Sequence, residues 1–157
     1  MVINSRWSAF SSASMIVCAL ILGPVPGHAQ ENRAVNLPGA SQSLPFSDGI
    51  VAGNTLYVAG QQGTDSKGKL KDGISEQTEA TLEHIKEVVT KAGFQMKDVV
   101  TVNVYLSDVA DFAAMNKVYT TFFPNPKPAR TTIQAAGLVN GAKVEIAAIA
   151  VRQGSSR

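Results

Sequence analysis

Residues Pro128 to Val151, "PARTTIQAAGLVNGAKVEIAAIAV", read as two short strands joined by a loop, and they hold the two charges that need explaining. Arg130 opens the first strand. Glu145 sits inside the second, among Val144, Ile146, Ala147, Ala148 and Ile149. Burying a charge is costly unless it is paired or used. Strand alternation groups Arg130, Thr132 and Gln134 on one face of the first strand, and Glu145, Ala147 and Ile149 on one face of the second. The expectation is that both charges point into one pocket. An arginine fork takes a carboxylate through two parallel hydrogen bonds, and a nearby carboxylate can hold and deprotonate a water. A plain Arg130–Glu145 salt bridge at a subunit contact is the alternative.

Working outward, "FSDGIVAGNTLYVAGQQG" reads as a hairpin, with Ile50 and Val51 before Gly53-Asn54 and Leu56, Tyr57 and Val58 after it. "TDSKGKLKDG" is a polar loop. "ISEQTEATLEHIKEVVTKAG" carries Thr81, Leu82, Ile85, Val88, Val89 and Ala92 at helical spacing, with Asp72 or Ser75 as cap and Gly93 as stop. "DVVTVNVYLSD" is a strand in which Val100, Val102, Val104 and Leu106 form one face. A second helix starts at Ser107 or Asp108, with Phe112, Met115, Tyr119 and Phe122 as its buried stripe. Pro124, Pro126 and Pro128 end it. The order β-β-α-β-α-β-β gives an α+β class, two helices packed on one face of a sheet.

The chain is 157 residues long, with 45% hydrophobic and 17% charged residues, which suits a single globular domain. Arg6 is the only charge in the first thirty residues, and an apolar run from Met15 to Leu22 is followed by Gly27, His28 and Ala29. The run is too short to span a bilayer. Residues 1–29 are therefore expected to be a cleavable secretory signal peptide, giving a secreted or periplasmic protein; an uncleaved anchor is the alternative. Residues 30–44 read as an arm or linker without period, 45–152 as the domain and 153–157 as a tail. Cys18, the single cysteine, would leave with the signal, so no thiol nucleophile or disulfide is expected. The formal charge of +2 becomes +1 once Arg6 is removed, and no Lys/Arg block marks a nucleic-acid surface. No Cys/His/Asp group has metal-ligand spacing and no Ser–His relay is evident. His84, beside the helical stripe, reads as a solvated helix residue.

"PARTTIQ", "KVEIAAIAV", "LPFSDGIVAGNTLYVAGQQG" and "DFAAMNKVYTTFF" together resemble the Rid family, the YjgF-type reactive-intermediate deaminases also called the endoribonuclease L-PSP family. The resemblance runs from about Leu44 to Val151. It implies a chorismate-mutase-like domain, a homotrimer with a barrel-like core and ligand sites between subunits. It also implies hydrolysis of enamines and imines of the 2-aminoacrylate type to 2-keto acids and ammonia, with no metal or cofactor. By the same resemblance Arg130 grips the substrate carboxylate, Glu145 positions the attacking water, and Gly60 and Asn116 line the site. Thr132 stands where many members have a cysteine whose backbone meets the ligand. Phe46 replaces a tyrosine and Ala59 a serine, so two pocket hydroxyls are missing and selectivity is open to change. Two other readings stay beside this one. One is a non-catalytic, chaperone-like trimer that binds small carboxylates. The other is an RNA-cleaving translation inhibitor, which the near-neutral charge opposes.

Overall fold

The computed structural model of the chain describes residues 31–38 and 45–152. The expected signal peptide and C-terminal tail lie outside them. Six strands form one mixed sheet: β1 (Arg33–Val35), β2 (Gly49–Ala52), β3 (Thr55–Gln62), β4 (Val99–Leu106), β5 (Ala129–Gln134) and β6 (Val144–Val151). Among the described residues two α-helices accompany them, α1 (Gly73–Lys91) and α2 (Phe112–Tyr119). The order across the sheet is β1-β2-β3-β6-β4-β5. All neighbours are antiparallel except β4 and β5, which run parallel.

The hairpin of β2 and β3 turns at Gly53-Asn54 with Gly53 at φ 61°, the left-handed value that glycine supplies without a Cβ clash. In β6 the alternation is complete: Val144, Ile146, Ala148 and Ala150 are buried and the residues between them are half-buried. These buried side chains join Val102, Val104 and Leu106 of β4 and the stripe Leu82, Ile85, Val88 and Val89 of α1 in one core. The α1 stripe is the one its period predicts. Asp72 is the N-cap by position, in extended conformation, but its side chain makes no capping hydrogen bond. At the other end Gly93, at φ 85°, stops the helix. Just past the helix end the Ala92 and Gly93 carbonyls accept from two guanidiniums, Arg33 at 3.1 Å and Arg152 at 2.9 Å, whose charges also complement the helix dipole.

Three expectations are corrected. Residues 33–35, read as part of an arm without period, form a strand paired with β2, too short for alternation to mark it. In β4 a register irregularity between Val99 and Thr101 puts Val99 in the core and leaves Val100 44% exposed, since a one-residue slip exchanges the faces. The chain enters α2 through one turn of 3-10 helix, Val109–Asp111, whose Ala110 N–H donates to the Asp108 side chain. Met115, Tyr119 and Phe123 are buried, while Phe112, the first residue of α2, is 39% exposed and Phe122, past the end of the helix, is only half-buried. The loop-joined strands β5 and β6 are not neighbours in the sheet, because β4 lies between them.

The end of β3 is clamped to α1. Gly63 packs so closely that a Cβ there would lie 2.2 Å from the Gln77 carbonyl oxygen and 2.4 Å from its Cα. The buried Gln77 side chain donates to the Lys71 carbonyl at 2.9 Å and accepts from the Lys143 N–H at 2.8 Å, tying the polar loop and the start of β6 to the helix. Backbone against backbone cannot yield as a side-chain tip can. Gly63→Ala is therefore expected to cost about 3 kcal/mol or more, read as a thermal midpoint lower by roughly 10 °C or more.

Candidate active site

Glu145 stands opposite Gln62 of β3 and Tyr105 of β4. Facing residues on adjacent strands share a face. Tyr105 lies on the face away from the helices, because its neighbours Val104 and Leu106 are the ones in the core. Glu145 is therefore on that open face. Its Oε2 accepts a hydrogen bond from Gln62 Nε2 at 2.9 Å. Its Oε1 lies over Gly60, where an added Cβ would be only 2.3 Å away. Glycine is required at this position by close approach, since its φ is unremarkable.

These residues line a cleft of about 600 Å³ at the end of β3. Phe46 and Ala59, the two positions that lack a hydroxyl, line it as well, and Phe46 is 57% exposed. Val139 and Asn140, from the turn before β6, complete the rim. Asn140 takes φ 58°, a left-handed value that asparagine tolerates better than most residues.

Arg130 is elsewhere. It pairs in register with Val102, and Thr132 with Val104, so both point to the helix-covered face. The guanidinium carbon lies 4.5 Å from the centre of the Tyr119 ring and 5.6 Å from that of Phe112, held by two aromatic faces. Among the described residues it makes no ion pair with a carboxylate. The Tyr119 hydroxyl and Thr132 Oγ1 are buried without hydrogen-bond partners among the described residues. Burial pushes the Tyr119 hydroxyl above its ordinary range, and the Arg130 charge pulls it part of the way back. Asn116, half-buried, is on α2, the helix that supplies both rings.

The expected site residues thus fall into two groups within one chain. Phe46, Ala59, Gly60 and Glu145 share a cleft; Arg130, Thr132 and Asn116 belong to the side covered by α2. The expectation that both charges enter one pocket does not hold within a single chain, because β4 intervenes and the two side chains leave opposite faces of the sheet. His84 is also corrected. It is half-buried, lines the cleft and places Nδ1 3.1 Å from the Gln62 carbonyl. Gln62 escaped sequence reading because a polar residue in "GQQG" carries no signal of its cross-strand partner. Among the described residues no three His, Cys, Asp or Glu side chains cluster to hold a metal.

The described residues form a two-helix α+β domain with an aromatic-backed arginine on one face of its sheet and a glycine-seated carboxylate on the other. The chain belongs to the endoribonuclease L-PSP family, also called the RutC or Rid (YjgF-type) family, whose family model matches residues 39–152. It is 43% identical over 111 residues to a RutC family protein of Pyrococcus horikoshii, covering 69% of this chain and 88% of that one. It is 38% identical over 110 residues to the 2-iminobutanoate/2-iminopropanoate deaminase of Mus musculus, covering 69% and 82%. Among solved structures, RidA from an Antarctic Psychrobacter species superposes with a TM-score of 0.73 at 35% identity, covering 76% of this chain and 99% of that one.

Proposed function

We propose that this chain hydrolyses 2-imino acids and their enamine tautomers to 2-keto acids and ammonia, without a metal or cofactor, at sites shared between the subunits of a homotrimer. The observation that carries the reading is an arginine held on aromatic rings without a carboxylate partner among the described residues, in a chain similar to a mammalian imine deaminase. The shared site is motivated by the opposite faces: a second copy is needed to bring one chain's Arg130 to another's Glu145.

In this reading the substrate carboxylate docks on Arg130, and an enamine first tautomerises to the imine. A water held by Glu145 adds to C2. The C2–O bond forms, the C=N π electrons pass to nitrogen, and Glu145 takes the water's proton. Glu145 passes that proton to the nitrogen, giving a neutral carbinolamine. As this adduct collapses, Glu145 takes the hydroxyl proton, the oxygen electrons form the C=O bond, the C–N bond breaks, and the nitrogen receives this second proton and leaves as ammonia. The site supplies positioning and proton transfer to a labile bond. Export, proposed from the N-terminal sequence, would place this chemistry in the periplasm or outside the cell.

A second reading is a binder of small carboxylates without turnover, favoured by the absence of hydroxyls at Phe46 and Ala59. RNA cleavage fits poorly with a charge near neutral. The deciding experiment generates 2-iminopropanoate with an amino-acid oxidase and follows its loss. Acceleration by the purified chain is expected; saturable binding of a 2-keto acid with no acceleration would favour the binder.

A further inference from the structure

The two oxygens of the Glu145 carboxylate are held differently. Oε1 rests over the Cα of Gly60, and Oε2 accepts from the Gln62 amide at 2.9 Å. Gln62 is itself fixed before it reaches Glu145. Its carbonyl accepts from the Thr64 N–H at 3.0 Å and faces His84 Nδ1 at 3.1 Å. A carbonyl can only accept, so the proton of this bond is assigned to Nδ1 of His84. The next residue, Gly63, is seated against the Gln77 backbone. Helix α1 therefore grips the backbone of residues 62 and 63, and the Gln62 side chain extends that rigidity to Glu145.

We propose that Gln62 is the positioning residue of this site: its amide occupies one carboxylate oxygen of Glu145 and leaves the other directed at the water, with His84 anchoring Gln62 from α1. The inference rests on the proposed role of Glu145 as base. A neutral donor suits that role. A lysine or arginine would hold the carboxylate as firmly, but its charge would oppose proton uptake. An apolar residue would leave Glu145 free to rotate, because Gly60 offers no side chain to retain it.

Gln62→Met keeps the length of the side chain and removes the donor. The expected result is a kcat on 2-iminopropanoate lower by about tenfold, with KM within roughly twofold because Arg130 still binds the carboxylate. On a Glu145→Ala background the same change is expected to add nothing, since it acts only through that carboxylate. The crystal structure of Gln62→Met should show the Glu145 carboxylate moved off Gly60 or split between rotamers. Wild-type kcat in Gln62→Met, with Glu145→Ala inactive, would overturn the inference and leave the deaminase reading standing. If the wild type does not accelerate imine loss, that reading falls, and the position of Glu145 in the Gln62→Met crystal still decides the inference: an unmoved carboxylate overturns it.

Discussion

Arg130→Ala is expected to lower kcat/KM for 2-iminopropanoate by roughly 100-fold or more. A guanidinium fork gives a carboxylate two charge-assisted hydrogen bonds, each worth about 1.5–3 kcal/mol, and every 1.4 kcal/mol is tenfold in rate. The loss should enter both KM and kcat, because the arginine binds the substrate and also fixes its C2 against the water. Arg130→Lys should recover little of it. An ammonium has no planar fork, and it cannot lie across the Tyr119 ring as the guanidinium does at 4.5 Å. The fold should survive both changes, since the Arg130 side chain makes no ion pair among the described residues. Steady-state kinetics beside thermal melts check this; a variant that melts as the wild type does but keeps its activity would remove Arg130 from the site.

Gly60→Ala should be nearly as damaging to activity and almost silent in stability. The new Cβ would fall 2.3 Å from Oε1 of Glu145, 2.9 Å from its Cδ and 3.1 Å from its Cγ. All three atoms belong to the distal half of a side chain on the open face, so the carboxylate can swing away without moving the sheet. A displacement of about 1 Å in a reacting group can cost roughly 100-fold. The expected outcome is a kcat lower by about that factor and a thermal midpoint within a few degrees of the wild type. Gly63→Ala gives the opposite pattern, because there the obstacle is the Gln77 backbone. Measuring the pair by melting and by turnover separates a glycine that seats a carboxylate from a glycine that seats a helix.

Much of the fold is legible where side-chain period and burial coincide. The stripe of α1 and the alternation of β6 leave little freedom, and the Gly53-Asn54 turn fixes the β2–β3 hairpin. What escaped reading depends on events a linear pattern does not contain. β1 has three residues, so it cannot show an alternation. The slip at Val99 shifts a correct period by one step and moves Val100 from the core to the surface, while Phe112 and Phe122 lie at and beyond the two ends of α2, where the helical stripe runs out. Strand order and register are the largest omissions: β4 separates two strands that are consecutive in sequence, and Arg130 pairs with Val102 while Glu145 pairs with Tyr105, three residues along the same strand, so the two charges leave opposite faces. The residue types of the candidate site were visible, as an arginine and a glutamate in apolar strands. Gln62 and His84 were not, because their meaning lies in a cross-strand partner and in a helix that crosses the end of β3.

The central claim is that one chain's Arg130 serves another chain's Glu145, and subunit complementation tests it directly. Arg130→Ala and Glu145→Ala chains, each inactive alone, are unfolded together in equal amounts and refolded so that subunits mix. If sites form between copies in a symmetric ring, a site is intact when its arginine comes from one variant and its glutamate from the other, which restores about a quarter of wild-type activity. No activity above that of the separate variants, in a mixture shown by mass spectrometry to contain mixed trimers, would contradict the shared site.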